Sequence, residues 1–125
     1  MVEVREVMSR DVATVASDAS VADAAKCMVQ GGFGSVIVVQ GKMIVGILTE
    51  RDVLRAAAHE TDLSCTSVEP WMTPDPETAE PGLETEDAAE MMLSRGFRHL
   101  PVTEGGDLVG IVSLRDVLSA RIGRR

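Results

Sequence analysis

Two runs of seven residues combine side chains that could bind an anionic ligand: GILTERD from Gly46 to Asp52, and GIVSLRD from Gly110 to Asp116. Each run is expected to lead from a strand into a helix, whose first N–H groups attract phosphate. The Thr or Ser hydroxyl and the Arg guanidinium could add hydrogen bonds to phosphate. The Asp carboxylate would repel phosphate but is suited to accept the two hydroxyls of a ribose. The spacing therefore suggests a nucleotide, with its sugar on one side of the helix start and its phosphate on the other.

The same residues also fit a purely structural role. Thr49 with Asp52, and Ser113 with Asp116, have the spacing of a capping box with Asp in the usual Glu or Gln position. Such a cap stabilises a helix by about 1 kcal/mol. This role explains neither the repeated arginines nor the repeated glycines, which could let the backbone approach a ligand closely. Both interpretations stay open at this point.

The length and composition place bounds on the class of protein. A chain of 125 residues is one domain's worth of protein, and 45% hydrophobic and 26% charged residues are typical of soluble globular proteins. No apolar run reaches the roughly 18 residues that span a bilayer, and the N-terminus lacks a signal peptide's apolar stretch. We therefore expect a cytoplasmic protein without membrane attachment.

Charge and chemistry narrow the function further. A net charge of −8 disfavours nucleic acid as a partner, because phosphate backbones require positive surface. Neither the two cysteines nor the two histidines show disulfide or metal-ligand spacing, and no nucleophile–base set stands out. The segment 56–94 carries ten acidic residues and no Lys or Arg. It is interpreted as a solvated face, with a docking surface for a basic partner as the alternative.

The two runs belong to an internal repeat with an offset of 64 residues. From Val4/Val68 to Ala56/Ala120 the halves align without a gap, and 20 of the 53 pairs are identical. Such self-similarity indicates tandem copies of one supersecondary unit. Each copy is too short for a good core of its own, so we expect the two to pack about a pseudo-twofold axis.

The order of elements in each copy is predicted as β-α-β-β-α. In the first copy Thr14-Val15 is extended, Ser20 caps a helix that ends at Gly31-Gly32, and Thr49 caps a closing helix. The strands between them are predicted over 35–39 and 43–48, and the closing helix ends near residue 57. In the second copy the helices are predicted over 83–95 and 113–121 and the strands over 100–103 and 108–112. The C-terminal Arg121, Arg124 and Arg125 are interpreted as favourable charges at the end of the last helix.

This organisation resembles a pair of cystathionine-β-synthase (CBS) domains, the arrangement called a Bateman module. The resemblance rests on the doubled pattern Gly-apolar-x-Thr/Ser-x-x-Asp and on the segment GFRHLPV, residues 96–102. It implies an α/β (α+β) fold with repeat 1 over residues 1–60, a connection over 61–66 and repeat 2 over 67–125. It also implies a regulatory role, in which adenine nucleotides bind and each site draws on both copies.

The resemblance carries over to two sets of nucleotide-binding residues. One set comprises Ile47, Thr49, Arg51, Asp52, Thr78, Phe97 and Arg98; the other comprises Ile111, Ser113, Arg115, Asp116, Thr14 and Phe33, with Arg98 and His99 as additions. On that pattern the two threonines meet the adenine edge and the isoleucines sandwich its ring. Only the second copy has Arg98 and His99, where the first has glycine and serine, so the Asp116 site should hold phosphate better. For the phenylalanines a core role is favoured, and Trp71 is interpreted as cover for an apolar seam.

The favoured function is a sensor of AMP, ADP or ATP that passes its state to a separate protein effector. No prosthetic group is expected, although Mg²⁺ could accompany a bound ATP. A homodimer is expected, with Val53, Leu54, Val117 and Leu118 as candidates for its contact or for the core. The alternatives are a ligand-free interaction module, a CBS pair that binds S-adenosylmethionine, and an enzyme that acts on a nucleotide.

Overall fold

The computed structural model describes residues 1–123, apart from the side chain of Arg121. The interpretation of the C-terminal arginines as helix-end charges therefore falls outside the described residues. Short 3₁₀ turns cover Val4–Glu6 and Leu63–Cys65. The helices and strands are, in chain order, β1 Thr14–Ala16, α1 Val21–Gly31, β2 Ser35–Gln40, β3 Met43–Thr49, α2 Glu50–His59, β4 Thr73–Pro74, α3 Thr85–Arg95, β5 His99–Glu104, β6 Asp107–Ser113 and α4 Leu114–Gly123.

The chain forms two compact units that exchange their lead-in segments. One unit comprises residues 13–76, and the other comprises residues 1–12 together with 77–125. Residues 1–12 belong to the first copy of the repeat in sequence, but they pack with the body of the second copy. In the same way the second copy's lead-in, residues 67–76, packs with the body of the first.

Equivalent hydrogen bonds fasten the lead-in of each unit. The Val4 N–H donates to the Leu83 carbonyl at 2.8 Å, and the Val68 N–H donates to the Ala19 carbonyl at 2.9 Å. Both valine side chains are fully buried. Because the donors and the acceptors are each 64 residues apart, the repeat is preserved at the level of single hydrogen bonds.

The sheet of the unit 13–76 has the strand order β1-β2-β3-β4. β1 runs parallel to β2, and the other neighbours are antiparallel. The β-branched run Val36-Ile-Val38 on β2 is completely buried, as expected of a strand covered on both faces. The order β-α-β-β-α is thus confirmed in this copy. Helix α1 begins at the predicted cap, Ser20, whose hydroxyl accepts from the Asp23 N–H at 3.0 Å.

The second copy departs from the first at its opening strand. In the first copy the Ile37 N–H donates to the Ala13 carbonyl at 2.9 Å. Pro101 occupies the position of Ile37 and has no N–H, so that ladder bond is lost. The segment is joined to β5 by a single parallel bridge, Ala79 to Val102, and the described sheet here has only the strands β5 and β6.

The connection between the copies contains a short turn of regular structure. α2 continues to His59, two residues beyond its predicted end, and a 3₁₀ turn follows. Hydrogen bonds from the Ser64 hydroxyl, and secondarily from Cys65, hold the pKa of the Asp62 carboxyl below its ordinary value. This carboxylate organises its own turn, since all of its described partners lie within three residues of it.

The repeated glycines have a packing role that the sequence alone did not reveal. A Cβ at Gly46 would overlap the side chain of Met72, and a Cβ at Gly110 would lie 2.7 Å from Met8 Sδ and 2.8 Å from the Ser9 carbonyl oxygen. The close approach that we expected of a ligand is therefore made by a methionine of the lead-in. The glycines fix how the exchanged segments dock and give no support to ligand binding.

We predict that Gly110→Ala destabilises the protein by about 1–3 kcal/mol, the usual cost of overpacking a tight site. Gly46→Ala should cost less, because the Met72 side chain can move whereas the Ser9 backbone cannot. Chemical denaturation measures both changes. Gly82→Ala is the control, since its new Cβ would meet only the end of the Arg5 side chain at 3.4 Å. Equal stability of all three variants would contradict the packing role.

Candidate functional site

The first strand-to-helix junction contains the predicted capping box. Thr49 ends β3 and caps α2, and its side chain accepts from the Asp52 N–H at 3.4 Å. In return Asp52 Oδ2 accepts from the Thr49 N–H at 2.9 Å and from the Thr49 hydroxyl at 3.1 Å. The structural role of this carboxylate is therefore confirmed. It does not by itself exclude a ligand, because a carboxylate can accept about four hydrogen bonds.

Arg55 binds the remaining oxygen of Asp52. The Arg55 guanidinium donates to Asp52 Oδ1 at 3.0 Å, while the Asp52 residue is only 7% exposed. The guanidinium also lies over the Trp71 ring, 5.5 Å from its centroid, and His59 stacks on Trp71 with centroids 5.9 Å apart. Trp71 packs against the core cluster of this unit, as its interpretation as cover predicted. Asp52 is thus enclosed by its own helix and by one cation.

The second junction has the same cap but lacks the cation. Asp116 Oδ2 accepts from the Ser113 N–H at 3.0 Å, and the Ser113 hydroxyl accepts from the Asp116 N–H at 3.0 Å. Ser119 stands at the position of Arg55, and Val7 stands at the position of Trp71. Asp116 is partly buried and makes no ion pair within the described residues. Within the described residues its Oδ1 accepts no hydrogen bond, and its Oδ2 accepts only the one from Ser113.

The three arginines predicted to contact phosphate are exposed. Arg51, Arg98 and Arg115 make no ion pair within the part of the chain that the structure describes. The Arg98 carbonyl accepts from the N–H of Leu114, the first residue of α4, at 2.9 Å. The Arg98 backbone therefore lies beside Leu114, which precedes Asp116 by two residues. His99 lies directly opposite Ser113 in the β5–β6 ladder.

The structure distributes the other predicted residues between the two units. Thr14 and Ile47 flank Ile37 on neighbouring strands, and Thr14 is exposed whereas Ile47 is buried. Phe97 packs against the core of its unit, in agreement with the favoured core role. The unit 13–76 contains Thr14, Phe33, Ile47, Thr49, Arg51 and Asp52; the other unit contains Thr78, Phe97, Arg98, His99, Ile111, Ser113, Arg115 and Asp116. Sites that combine residues of both copies stay a prediction.

Sequence reasoning missed Arg55 as a partner of Asp52. The capping box accounted for Asp52 without it, and the pairing with Trp71 spans 16 residues across the connection between the copies. A signal existed in the repeat itself. In the alignment of the two copies, Arg55 is paired with Ser119 and Trp71 with Val7. The first mismatch changes the charge of the side chain, and the second changes its size.

Two further properties bear on the class of site. Within residues 1–123 no cluster of three or more His, Cys, Asp or Glu side chains could hold a metal ion. Among the described helices, none has the length and apolar character needed to cross a bilayer.

Two copies of one fold, each with its strand-to-helix junction, are the arrangement of a pair of CBS domains. The chain belongs to the CBS-domain family. The family model for the CBS domain matches residues 4–59 and again residues 67–123. A CBS domain-containing protein of Bacillus subtilis, YhcV, is 35% identical over 94% of this chain and 84% of its own length. A protein with CBS domains from Burkholderia ambifaria is 37% identical with a TM-score of 0.87, over 93% of this chain and 86% of that one.

Two similar solved structures contain adenosine derivatives. The CBS domain protein PAE2072 of Pyrobaculum aerophilum, in complex with AMP, is 28% identical with a TM-score of 0.84, over 92% of this chain and 89% of that one. The CBS domain pair of protein MJ0100, in complex with 5′-methylthioadenosine and S-adenosyl-L-methionine, is 25% identical with a TM-score of 0.89, over 99% and 98%. The family therefore includes members that bind ligands of both kinds.

We predict that Asp52→Ala destabilises the fold by about 2 kcal/mol and Asp116→Ala by only about 1 kcal/mol. Both variants lose a helix cap, but Asp52→Ala also loses the Thr49 hydroxyl bond and the partner of Arg55. Urea unfolding without ligand measures the difference. A larger loss in Asp116→Ala would show that the Arg55 ion pair contributes nothing to stability.

Proposed function

We propose that the chain is a regulatory module that binds an adenine nucleotide (AMP, ADP or ATP), with the Asp116 junction as the principal site. The observation that carries the proposal is a partly buried carboxylate that accepts a single hydrogen bond within the described residues, at a helix start where Arg98 and Arg115 are exposed. The AMP complex of the Pyrobaculum relative supports the ligand class. Membership of the CBS family supports a regulatory role rather than catalysis.

Each residue of the junction has a chemical role in this proposal. Asp116 accepts the ribose hydroxyls, while the Ser113 hydroxyl and the first N–H groups of α4 donate to phosphate. Arg115 and Arg98 add charge-assisted hydrogen bonds to the phosphate. Ile111 contributes apolar contact with the adenine ring. Contacts of Thr14 and Phe33 with the base, which the family resemblance implies, stay a prediction.

The second candidate ligand is S-adenosylmethionine or 5′-methylthioadenosine, which the MJ0100 complex favours. Both present an adenosine to the carboxylate but carry no phosphate. Leaving Arg98 and Arg115 unpaired would cost nothing at an exposed position, but it would also gain nothing. The guanidinium groups therefore favour a phosphate-bearing ligand over either alternative.

We further propose that the module acts in the cytoplasm as a homodimer and signals to a separate protein effector. Among the candidate contact residues, Val117 is 4% exposed and belongs to the core. Leu54 and Leu118 are 71% and 44% exposed and are therefore available for a contact. Val29 and Leu93, at matching positions of the repeat, are also exposed. Equivalent apolar positions on both copies suit a symmetric contact with a second copy of the chain.

We expect AMP at about a hundred times its dissociation constant to stabilise the protein by about 2.7 kcal/mol. For a domain of this size that raises the melting temperature by roughly 10 °C. A thermal-shift series with AMP, ADP, ATP, S-adenosylmethionine, 5′-methylthioadenosine and inorganic phosphate measures the effect. A shift with the two sulfur compounds alone would favour the second candidate, and no shift with any adenosine compound would favour a ligand-free interaction module.

Arg115→Ala is the variant that separates phosphate binding from adenosine binding within this experiment. It should weaken AMP about five- to tenfold, since the bond lost is charge-assisted but exposed. Adenosine should bind the variant and the parent equally. Lys26→Ala removes an exposed cation of α1 outside the proposed site and serves as the charge-matched control. An equal loss of AMP and adenosine binding would show that Arg115 does not contact phosphate.

For the dimer, we predict that Leu54→Glu with Leu118→Glu yields a monomer, because burying two added carboxylates is costly. Analytical ultracentrifugation measures the mass of parent and variant. Met43→Glu is the control, since Met43 is 70% exposed but lies at the start of a strand rather than on a helix. A parent that sediments as a monomer would exclude the proposed homodimer.

A further inference from the structure

We propose that two residues of the first copy, Arg55 and Glu50, close its junction to nucleotide, so that each chain binds one nucleotide and does so at Asp116. The inference rests on the proposed function and specifies which of the two repeated junctions performs it. The Gly, Arg and Asp of the motif occur in both junctions, so the motif alone does not distinguish them. Their surroundings are different.

The Asp52 carboxylate has little capacity left for a ribose. Its Oδ2 accepts two hydrogen bonds from Thr49, and its Oδ1 accepts one from Arg55. Three of about four acceptor positions are therefore filled by the protein. A ribose presents two adjacent hydroxyls, and both cannot be accepted unless Arg55 leaves.

Arg55 is held in place from its other side as well. Its guanidinium lies over the Trp71 ring, and that ring is in turn stacked by His59. A ligand that displaced Arg55 from Asp52 would also disturb this cation–π contact. Arg55 therefore resists displacement more than a solitary surface cation would.

The charge around the helix start also differs between the junctions. Glu50 is the first residue of α2 and its N–H donates to the Gly34 carbonyl at 3.1 Å. In the second junction the matching pair is Leu114 and Arg98, joined at 2.9 Å. Beyond the motif residues that both junctions share, the first helix start thus carries Glu50 opposite a glycine, where the second carries Leu114 opposite Arg98. Because Glu50 offsets the charge of the motif arginine at the first start and Arg98 adds to it at the second, we expect phosphate to bind the second more tightly.

These differences act on both halves of a nucleotide. At the first junction the sugar meets a filled carboxylate and the phosphate meets Glu50, while at the second both meet open partners. We expect AMP to bind the first junction at least tenfold more weakly, which corresponds to about 1.4 kcal/mol. The first junction then serves chiefly to hold its own unit together.

Isothermal titration of the full chain with AMP tests the proposal. The parent should bind one AMP per chain, and Asp116→Ala should bind none in the same concentration range. Replacing Glu50 and Arg55 by their second-copy counterparts, as Glu50→Leu with Arg55→Ser, should open the first junction and raise the stoichiometry to two. The same double replacement combined with Asp116→Ala should regain one.

A measurement without ligand tests whether Arg55 is held between Asp52 and Trp71. Trp71 is the single tryptophan, so its fluorescence reports on the group that covers its ring. Arg55→Ser and Asp52→Ala should both change this emission, whereas Glu50→Leu and Asp116→Ala should not. Unchanged emission in Arg55→Ser would overturn the role of Arg55 whether or not a nucleotide binds.

The outcomes distinguish the inference from the proposed function. Two AMP per parent chain, or no gain of binding in the opened variants, would overturn the closed first junction while leaving nucleotide binding intact. Absence of AMP binding in the parent and in every opened variant would overturn the proposed function, and the assignment of one nucleotide to Asp116 with it. Circular dichroism confirms that each variant is folded before it is titrated.

Discussion

A carboxylate has a fixed number of lone pairs, and the fold and the ligand compete for those of Asp52 and Asp116. At Asp52 the protein uses three positions, two for Thr49 and one for Arg55. At Asp116 it uses one. Both copies have the same helix cap. At the first cap, Arg55 also pairs with Asp52, so that this copy of the motif stabilises the fold. The repeated motif is therefore necessary for a nucleotide site but does not suffice to define one.

The exchanged lead-ins explain why other parts of the motif are invariant between the copies. Each lead-in brings a methionine against the strand that precedes the junction, and only glycine leaves room for it. The glycine thus belongs to the packing of the fold, the capping pair belongs to the helix, and the arginine of the motif has no partner among the described residues. Of the four motif residues, that arginine is the one whose presence the fold itself does not explain.

Much of this architecture could be predicted from the sequence because the repeat reports each element twice. The caps, the turns and the apolar strands follow from local chemistry, and the described helices end within two residues of their predicted ends. The exchange of lead-ins could not be predicted, because an internal repeat aligns equally well whichever body each lead-in joins. The lost opening strand of the second copy could have been foreseen, since Pro101 replaces a residue whose N–H the first copy needs.

The same exchange sets an order in which the chain can fold. The unit 13–76 is continuous, so all of its partners have been synthesised once residue 76 leaves the ribosome. The other unit joins Val4 to Leu83 and must close a loop of nearly eighty residues. That closure costs more chain entropy than any contact within the continuous unit. The continuous unit is therefore expected to form first, and the N-terminal segment has to wait for the second half of its own protein.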